Sequence, residues 1–169
     1  MVELVLHVVL VALKDRLSKK LSCCDSTDIV KRGLIGDIIK RIETKGYKIV
    51  AMKMIHVTEE IAAKHYEEHI GKPFYPSLVK FITNAPIIAM VLQGENVIES
   101  VRKFLGKTNP MDAEDGSIRS DFSQVTQYNS VHASDSPASA EREIAIYFKP
   151  EEICNNWKTM YEILVEEMK

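Results

Sequence analysis

The feature that most constrains the fold is the alternation of two hydrophobic periods along the chain. Continuous apolar runs of strand length, such as Ile87–Leu92, alternate with segments such as Val97–Leu105, where apolar residues fall on one side of a helix. The predicted order is β-α-β-α-α-β-α-loop-β-α, with a further helix predicted from Trp157 to Met168. Such an alternation predicts one α/β sandwich in which helices cover a single sheet.

The number and order of these segments fit a ferredoxin-like split βαβ arrangement, an α+β sandwich with an antiparallel four-stranded sheet covered by helices. The length of 169 residues predicts one domain over 1–169. An apolar fraction of 46% and a charged fraction of 27% are typical of a globular domain rather than a disordered chain. The net charge of -2 gives no support for a general nucleic-acid binder, which is usually basic.

The N-terminal run Leu4–Leu13 is apolar except for His7. It is far shorter than the roughly 20 apolar residues that span a bilayer, so no membrane segment is expected. Glu3 precedes the run and Lys14 follows it, the opposite of a signal peptide. We therefore expect a buried strand.

The three cysteines form neither a disulfide framework nor a CxxC zinc pattern, which favours a reducing, cytoplasmic location.

His132 lies between a predicted strand end and a predicted helix start at Ser136-Pro137. The hydroxyls and the Asp135 carboxylate around it are groups that orient an imidazole for nucleophilic attack. The start of the following helix favours anions, phosphate included. The alternative is a solvated histidine in a surface turn.

A long connection, Gly106 to Asn129, follows the helix that contains Arg102. Connections of this length are usually functional or mobile. Its Lys107, Thr108, Arg119 and Asp121, with Arg102, suit phosphate recognition, although ordinary surface charge is the alternative. The chain has no G-x-x-x-x-G-K-[ST] and no G-x-G-x-x-G motif, so neither a P-loop nor a Rossmann dinucleotide site is supported.

Two further patterns leave alternatives open. His65-Tyr66-Glu67-Glu68-His69 matches H-x-x-E-H, which suggests a zinc peptidase if a helix places both imidazoles on one face and a third ligand is found. Phe74 and Tyr75 are either core residues or an exposed platform for a nucleobase.

Several separated motifs, in the same order, resemble the nucleoside diphosphate kinase family. The resemblance extends from Ile29 to Phe148, and Phe148-Lys-Pro-Glu-Glu is similar to an archaeal-type C-terminus. The motifs are Lys31-Arg-Gly33-Leu-Ile-Gly36, His65-Tyr66, Lys72-Pro73-Phe74, Gly106-Lys-Thr108-Asn-Pro110, Gly116-Ser-Ile-Arg119-Ser-Asp121-Phe122, Asn129-Ser-Val-His132-Ala-Ser134-Asp-Ser and Ser139-Ala-Glu-Arg-Glu143-Ile.

The resemblance implies transfer of a γ-phosphate from a nucleoside triphosphate to a nucleoside diphosphate through a phosphohistidine at His132. It implies that Glu143 orients the His132 ring with support from Ser134. It also implies Mg²⁺ bridging the nucleotide phosphates rather than held by the protein, and a cytoplasmic homohexamer. The nucleotide-binding residues that it implies are Lys14, Tyr66, Phe74, Arg102, Thr108, Arg119 and Asn129.

The sequence departs from the family at the end of the first strand, where the family has Lys-Pro-Asp. Without a gap, Ser26-Thr27-Asp28 stands there, and Ser26 supplies no ammonium group. We favour a gapped alignment instead, in which Leu4–Leu13 is a central strand, Lys14 is the family lysine, and 15–28 is an irregular insertion. The alternative is a catalytically weakened, nucleotide-binding homologue with a regulatory role. A smaller departure is Ser120, where the family usually has glycine.

Overall fold

The structure, a computed structural model, describes residues 19–25, 27–126 and 129–168. Within these residues four strands form one antiparallel sheet in the order β2-β3-β1-β4. They are β1 (Lys19–Asp25), β2 (Lys48–Ile55), β3 (Ile87–Gly94) and β4 (Val131–Ala133). Because β3 lies between β1 and β2, the sheet has the predicted ferredoxin-like split βαβ topology.

Helices connect and cover these strands. None of those that the structure describes is long and apolar enough to cross a membrane. Short 3₁₀ helices span Glu67–His69, Pro110–Asp112 and Pro150–Glu152. The α-helices are α1 (Thr27–Arg32), α2 (Ile35–Thr44), α3 (Glu59–His65), α4 (Tyr75–Thr83), α5 (Val97–Leu105), α6 (Ile118–Phe122), α7 (Pro137–Tyr147) and α8 (Met160–Glu167).

The hydrophobic core is centred on β3. Residues Ile87–Leu92 are buried at six consecutive positions, so both faces of the sheet are covered there. Ile38 and Ile42 of α2, Leu78 of α4 and Val101 of α5 belong to the same cluster of buried side chains. The helical periodicity of the sequence is therefore explained by packing against the sheet.

The first strand of the described sheet lies within the segment that the gapped alignment treats as an insertion. Residues 19–25 pair with β3 along their whole length, from Lys19 opposite Gly94 to Asp25 opposite Ile88. Thr27–Arg32 is helical, so the prediction of an irregular insertion over 15–28 is wrong for 19–25 and 27–28. Ladder hydrogen bonds on both sides of a strand outweigh the weak strand propensity of Ser-Cys-Cys-Asp. Leu4–Leu13 and Lys14 lie outside the described residues.

Candidate active site

His132 is the middle residue of β4 and pairs with Cys24 of β1. Its side chain is buried, with 7% of its surface exposed. The chain enters β4 through Ser130, whose φ of 64° lies in the left-handed region that side-chain-bearing residues seldom adopt. The Ser123 hydroxyl donates a hydrogen bond to the Ser130 hydroxyl at 2.6 Å, which holds this turn in place.

Ser134 and Glu143 form a direct pair beside His132. The Ser134 Oγ donates a hydrogen bond to Glu143 Oε2 at 2.5 Å, and both side chains are buried. Glu143 reaches this position because α7 begins immediately after β4, with Ser136 accepting from the Ser139 amide in a capping box. The predicted helix start at Ser136-Pro137 is confirmed.

Burial raises the pKa of Glu143 to about 7, because a carboxylate loses hydration in this position. The hydrogen bond from Ser134 and the positive charge of Arg142 act against this rise, whereas the charges of Asp135 and Glu68 add to it. The carboxyl of Glu143 therefore changes its charge near neutral pH, whereas an ordinary glutamate is fully ionised there.

A cavity of about 370 Å³ opens over these residues. Four parts of the chain form its walls: the end of α3 with the following 3₁₀ helix, the end of α5 with the loop after it, α6, and the segment from β4 into α7. The sequence-predicted site residues that meet here are Tyr66, Arg102, Thr108, Arg119, His132, Ser134 and Glu143.

Two arginines hold the strand that contains His132. Arg102 Nη1 donates to the carbonyl oxygen of Ala133 at 3.2 Å. The buried Arg119 donates from Nη1 to the Gly106 carbonyl at 2.8 Å and from Nη2 to the Val131 carbonyl at 2.9 Å. Because Val131 and Ala133 flank His132, both guanidinium groups lie close to the imidazole and supply positive charge to the cavity.

The other predicted nucleotide-binding residues surround this centre less directly. The buried Asn129 donates its amide to the Thr108 carbonyl at 3.4 Å. Phe74 is half-buried and does not line the cavity, but its ring lies 5.6 Å from the ring of His69, which does. Lys14, predicted to complete the ring of cations, lies outside the described residues.

The zinc peptidase interpretation of H-x-x-E-H is not supported. The helix predicted to reach His69 ends at His65, so the two imidazoles do not share one helix face. His65 is buried, with its ring centroid 5.9 Å from that of His132. Across residues 19–25, 27–126 and 129–168, no group of three or more His, Cys, Asp or Glu side chains is placed to hold a metal ion.

Sequence reasoning missed Arg142 and Glu68, which also line the cavity. Arg142 Nη1 lies 2.7 Å from Glu68 Oε1, and its Nη2 lies 3.7 Å from Glu143 Oε1. Neighbouring residues on a helix normally point in different directions, so the sequence offered no reason to pair Arg142 with Glu143. The signal that was available is the position of Arg142 inside the motif Ser139-Ala-Glu-Arg-Glu143-Ile.

Comparison with known proteins identifies the family that the chain matches. A family model described as nucleoside diphosphate kinase matches residues 26–153. The chain is 58% identical over 126 residues to a nucleoside diphosphate kinase of Methanocaldococcus jannaschii, covering 75% of this chain and 90% of the relative. It is 52% identical over 128 residues to one from Synechococcus sp., covering 76% and 86%.

Solved structures with the same fold include a halophilic nucleoside diphosphate kinase from Halobacterium salinarum in complex with CDP. It has a TM-score of 0.83 and 40% sequence identity, covering 88% of this chain and 98% of that one. A second is a transition state mimic of nucleoside-diphosphate kinase from Borrelia burgdorferi with bound vanadate and ADP. It has a TM-score of 0.82 and 41% identity, covering 89% and 98%.

The raised pKa of Glu143 predicts a pH-dependent gain in stability for Glu143→Gln. Below pH 4.5 the carboxyl is protonated in both the folded and the unfolded chain, so its burial has no ionic penalty. Between about pH 4.5 and 7 the unfolded chain ionises first, and wild-type stability falls. Relative to wild type, the variant should gain up to about 3 kcal/mol of unfolding free energy between pH 4 and pH 8.5.

Urea unfolding at the two pH values measures this gain. Glu141→Gln, an exposed position on the same helix, is the control and should show no comparable change. A pH-independent difference between Glu143→Gln and wild type would contradict the prediction.

Proposed function

The chain belongs to the nucleoside diphosphate kinase family and transfers the γ-phosphate of a nucleoside triphosphate to a nucleoside diphosphate; we propose that His132 carries the phosphate between the two. The observation that supports this role most strongly is the buried imidazole at the floor of a cavity that also contains Arg102, Arg119 and Glu143. No other described histidine combines a strand position with two flanking arginine contacts.

The reaction has two balanced half-reactions. In the first, the lone pair of a His132 ring nitrogen attacks the γ-phosphorus, and the bond to the bridging oxygen breaks, so that the diphosphate leaves with the electron pair. In the second, a terminal phosphate oxygen of a different nucleoside diphosphate attacks the same phosphorus, and the N–P bond breaks. The imidazole is thereby restored, and each step is easier than a direct transfer between two anions.

Stabilisation of negative charge is the main demand of phosphoryl transfer, because charge accumulates on the phosphate oxygens. Arg102 and Arg119 are fixed by carbonyl oxygens on either side of His132, so their charges need no rearrangement to meet the phosphate. Thr108 on the same wall offers a hydroxyl to the phosphates.

Mg²⁺ fits this site as a partner of the nucleotide rather than of the protein. By the family resemblance the nucleotide phosphates would hold the ion, and Asp135 and Glu68 are carboxylates in the same cavity. When bound, Mg²⁺ would neutralise part of the phosphate charge.

Glu143 shares the cavity with His132 and would act on its imidazole. Attack on phosphorus makes the imidazole more positive, and a carboxylate nearby stabilises that change. The Ser134 hydroxyl fixes the direction of the Glu143 carboxylate. We assign Glu143 to charge stabilisation and Ser134 to its positioning.

We expect the nucleoside to bind beside Phe74, whose ring lies next to His69 at the edge of the cavity. The half-buried Phe74 presents a ring for stacking on the base, which is sequence-tolerant because every base has an aromatic face. Tyr66 and Asn129, both buried, are the residues that we assign to the sugar and the phosphates. A homohexamer and a cytoplasmic location remain predictions from the family resemblance.

The role of His132 predicts that His132→Ala cannot form a phosphoenzyme. Incubation with γ-labelled ATP should leave acid-labile, base-stable label on the wild type and none on the variant, while nucleotide binding is retained. His56→Ala, which removes an exposed histidine elsewhere, should be labelled like the wild type. Label that persists on His132→Ala at another histidine would overturn the assignment.

The phosphate-binding role predicts that Arg102→Ala and Arg119→Ala each lower kcat/KM more than tenfold, at least about 1.4 kcal/mol of transition-state stabilisation. Lys80→Ala removes a cation of α4 outside the cavity and should leave kcat/KM unchanged. Circular dichroism must show a native fold, since Arg119 also bonds two carbonyls. Unchanged kinetics in both arginine variants would place the phosphates elsewhere.

A weakened enzyme is the second candidate, and the position of β1 favours it. Ser26 follows β1 directly in the sequence, and the family match begins at this residue. The ungapped alignment therefore has the better support, and it leaves serine where the family has the lysine of Lys-Pro-Asp. Loss of that ammonium group would slow transfer while nucleotide binding persists.

This second candidate predicts that Ser26→Lys raises kcat/KM at least tenfold, because it restores a cation expected near the phosphates. Ser26→Gln, of similar length but uncharged, is the matched control and should give no such gain. Equal rates in all three proteins, together with a loss of turnover in Lys14→Ala, would instead support Lys14 as the functional lysine.

A further inference from the structure

Arg142 connects two walls of the active-site cavity. It lies on α7, while Glu68 lies on the 3₁₀ helix Glu67–His69 across the cavity. One guanidinium nitrogen is 2.7 Å from Glu68 Oε1, and the other is 3.7 Å from Glu143 Oε1. A single cation therefore contacts one exposed carboxylate and one buried carboxylate.

We propose that Arg142 is a positioning residue for phosphoryl transfer, whose guanidinium, held by Glu68, keeps the Glu143 carboxylate charged beside His132. This inference rests on the proposed roles of His132 and Glu143. Arg142 itself does not contact the transferred phosphate in this proposal, because its two ion-pair contacts are with glutamates of the protein.

The contact between Arg142 and Glu143 needs an explanation because the two residues are adjacent. Successive side chains on an α-helix point about 100° apart, so neighbours rarely meet. The Glu68 carboxylate lies on the opposite wall and draws the guanidinium over the cavity, past Glu143. The side chain of Glu68 is 69% exposed, so the ion pair adds little stability by itself, and its effect is on the position of the guanidinium.

The charges around Glu143 show why a fixed cation matters there. Its side chain is only 4% exposed, and both Asp135 and Glu68 disfavour its ionisation. Arg142 and the Ser134 hydroxyl favour the charged form and lower the pKa of Glu143. Other titratable and charged groups share the cavity with Glu143. They are His65 at the end of α3, Tyr66, Glu68 and His69 just after it, Arg102 of α5, Arg119 of α6, and His132, Asp135 and Arg142 on the β4–α7 side.

Direct titration of Glu143 tests this inference without using catalysis. The full-length protein is labelled with ¹³C at the glutamate side-chain carboxyl, and the Glu143 signal, identified by its loss in Glu143→Gln, is followed with pH. In Arg142→Gln we expect the pKa to rise by roughly half a unit to one unit, with most of the shift reversed in Arg142→Lys. Lys53→Gln, which removes a cation 2.7 Å from Glu152 far from the cavity, should leave the Glu143 titration unchanged.

The rate of phosphoenzyme formation gives the second measurement. If the carboxylate form is the active one, Arg142→Gln loses about two- to fivefold in rate at pH 7 and recovers toward wild type above pH 9. The midpoint of the acid limb should move by the same amount as the NMR titration. A rate loss that is equal at every pH, or an unmoved Glu143 titration, would overturn the role of Arg142.

The two measurements also separate this inference from the function on which it rests. If wild type forms no phosphoenzyme but the NMR titration shifts as expected, the electrostatic link is real and the role of His132 is wrong. If wild type is labelled and neither the titration nor the acid limb moves, only the role of Arg142 fails.

Discussion

The pairing of β4 with β1 is the constraint on which the site depends. β4 has three residues, and β1 is its partner strand in the described sheet, with His132 opposite Cys24. The carbonyl oxygens on either side of His132 accept hydrogen bonds from Arg102 and Arg119 instead of from a further strand. The two arginines that we propose bind the phosphates thus also complete the backbone hydrogen bonding of an edge strand. A short edge strand leaves the imidazole open to a ligand while its backbone stays fixed.

The same site buries the carboxyl group of Glu143, where ionisation is unfavourable. Glu143 is buried, and its pKa of about 7 records the free-energy penalty of ionisation in that position. Ser134 and Arg142 offset part of this penalty, which gives a carboxylate of fixed direction close to His132. If Ser134 and Arg142 lowered the pKa of Glu143 further, its carboxyl would stay charged at all working pH values. If they lowered it less, the carboxyl would stay neutral there. The arrangement lowers fold stability but provides a charge of defined position beside His132, the proposed reacting group.

The sequence correctly predicted those helices and strands whose local residue preferences match their positions in the fold. The bounds of α5 were predicted as found, because an apolar period ends at Gly106, whose φ of 85° suits a helix end. The start of α7 followed from Ser136-Pro137. β1 was missed because its Ser-Cys-Cys-Asp segment has little intrinsic strand preference, and its position depends on partners far along the chain.

In the candidate site, too, some residues could be predicted from the sequence and others could not. Motif resemblance identified His132, Glu143 and the arginines, and the structure brings them to one cavity. The Arg142–Glu68 contact joins residues from two motifs whose proximity exists only in the folded chain, and no spacing rule within either motif predicts it. His65 and His69 show the opposite error. Their spacing in the sequence suggested that both lie on one helix face, but α3 ends at His65, so they do not.

The β1–β4 ladder also orders events during folding. Asp25 and Val131, which pair across it, are about a hundred residues apart in the sequence, whereas the β2–β3 pairing closes a much shorter loop. Contacts of such long range lose more chain entropy on closure, so β4 should join the sheet late, after β2, β3 and their helices have packed. During synthesis His132, the proposed nucleophile, should therefore enter the cavity only after most of the chain has been made. An incompletely synthesised chain would then contain the β2–β3 part of the sheet without His132 in its cavity. If His132 carries the phosphate as proposed, the enzyme becomes active only when the fold is complete.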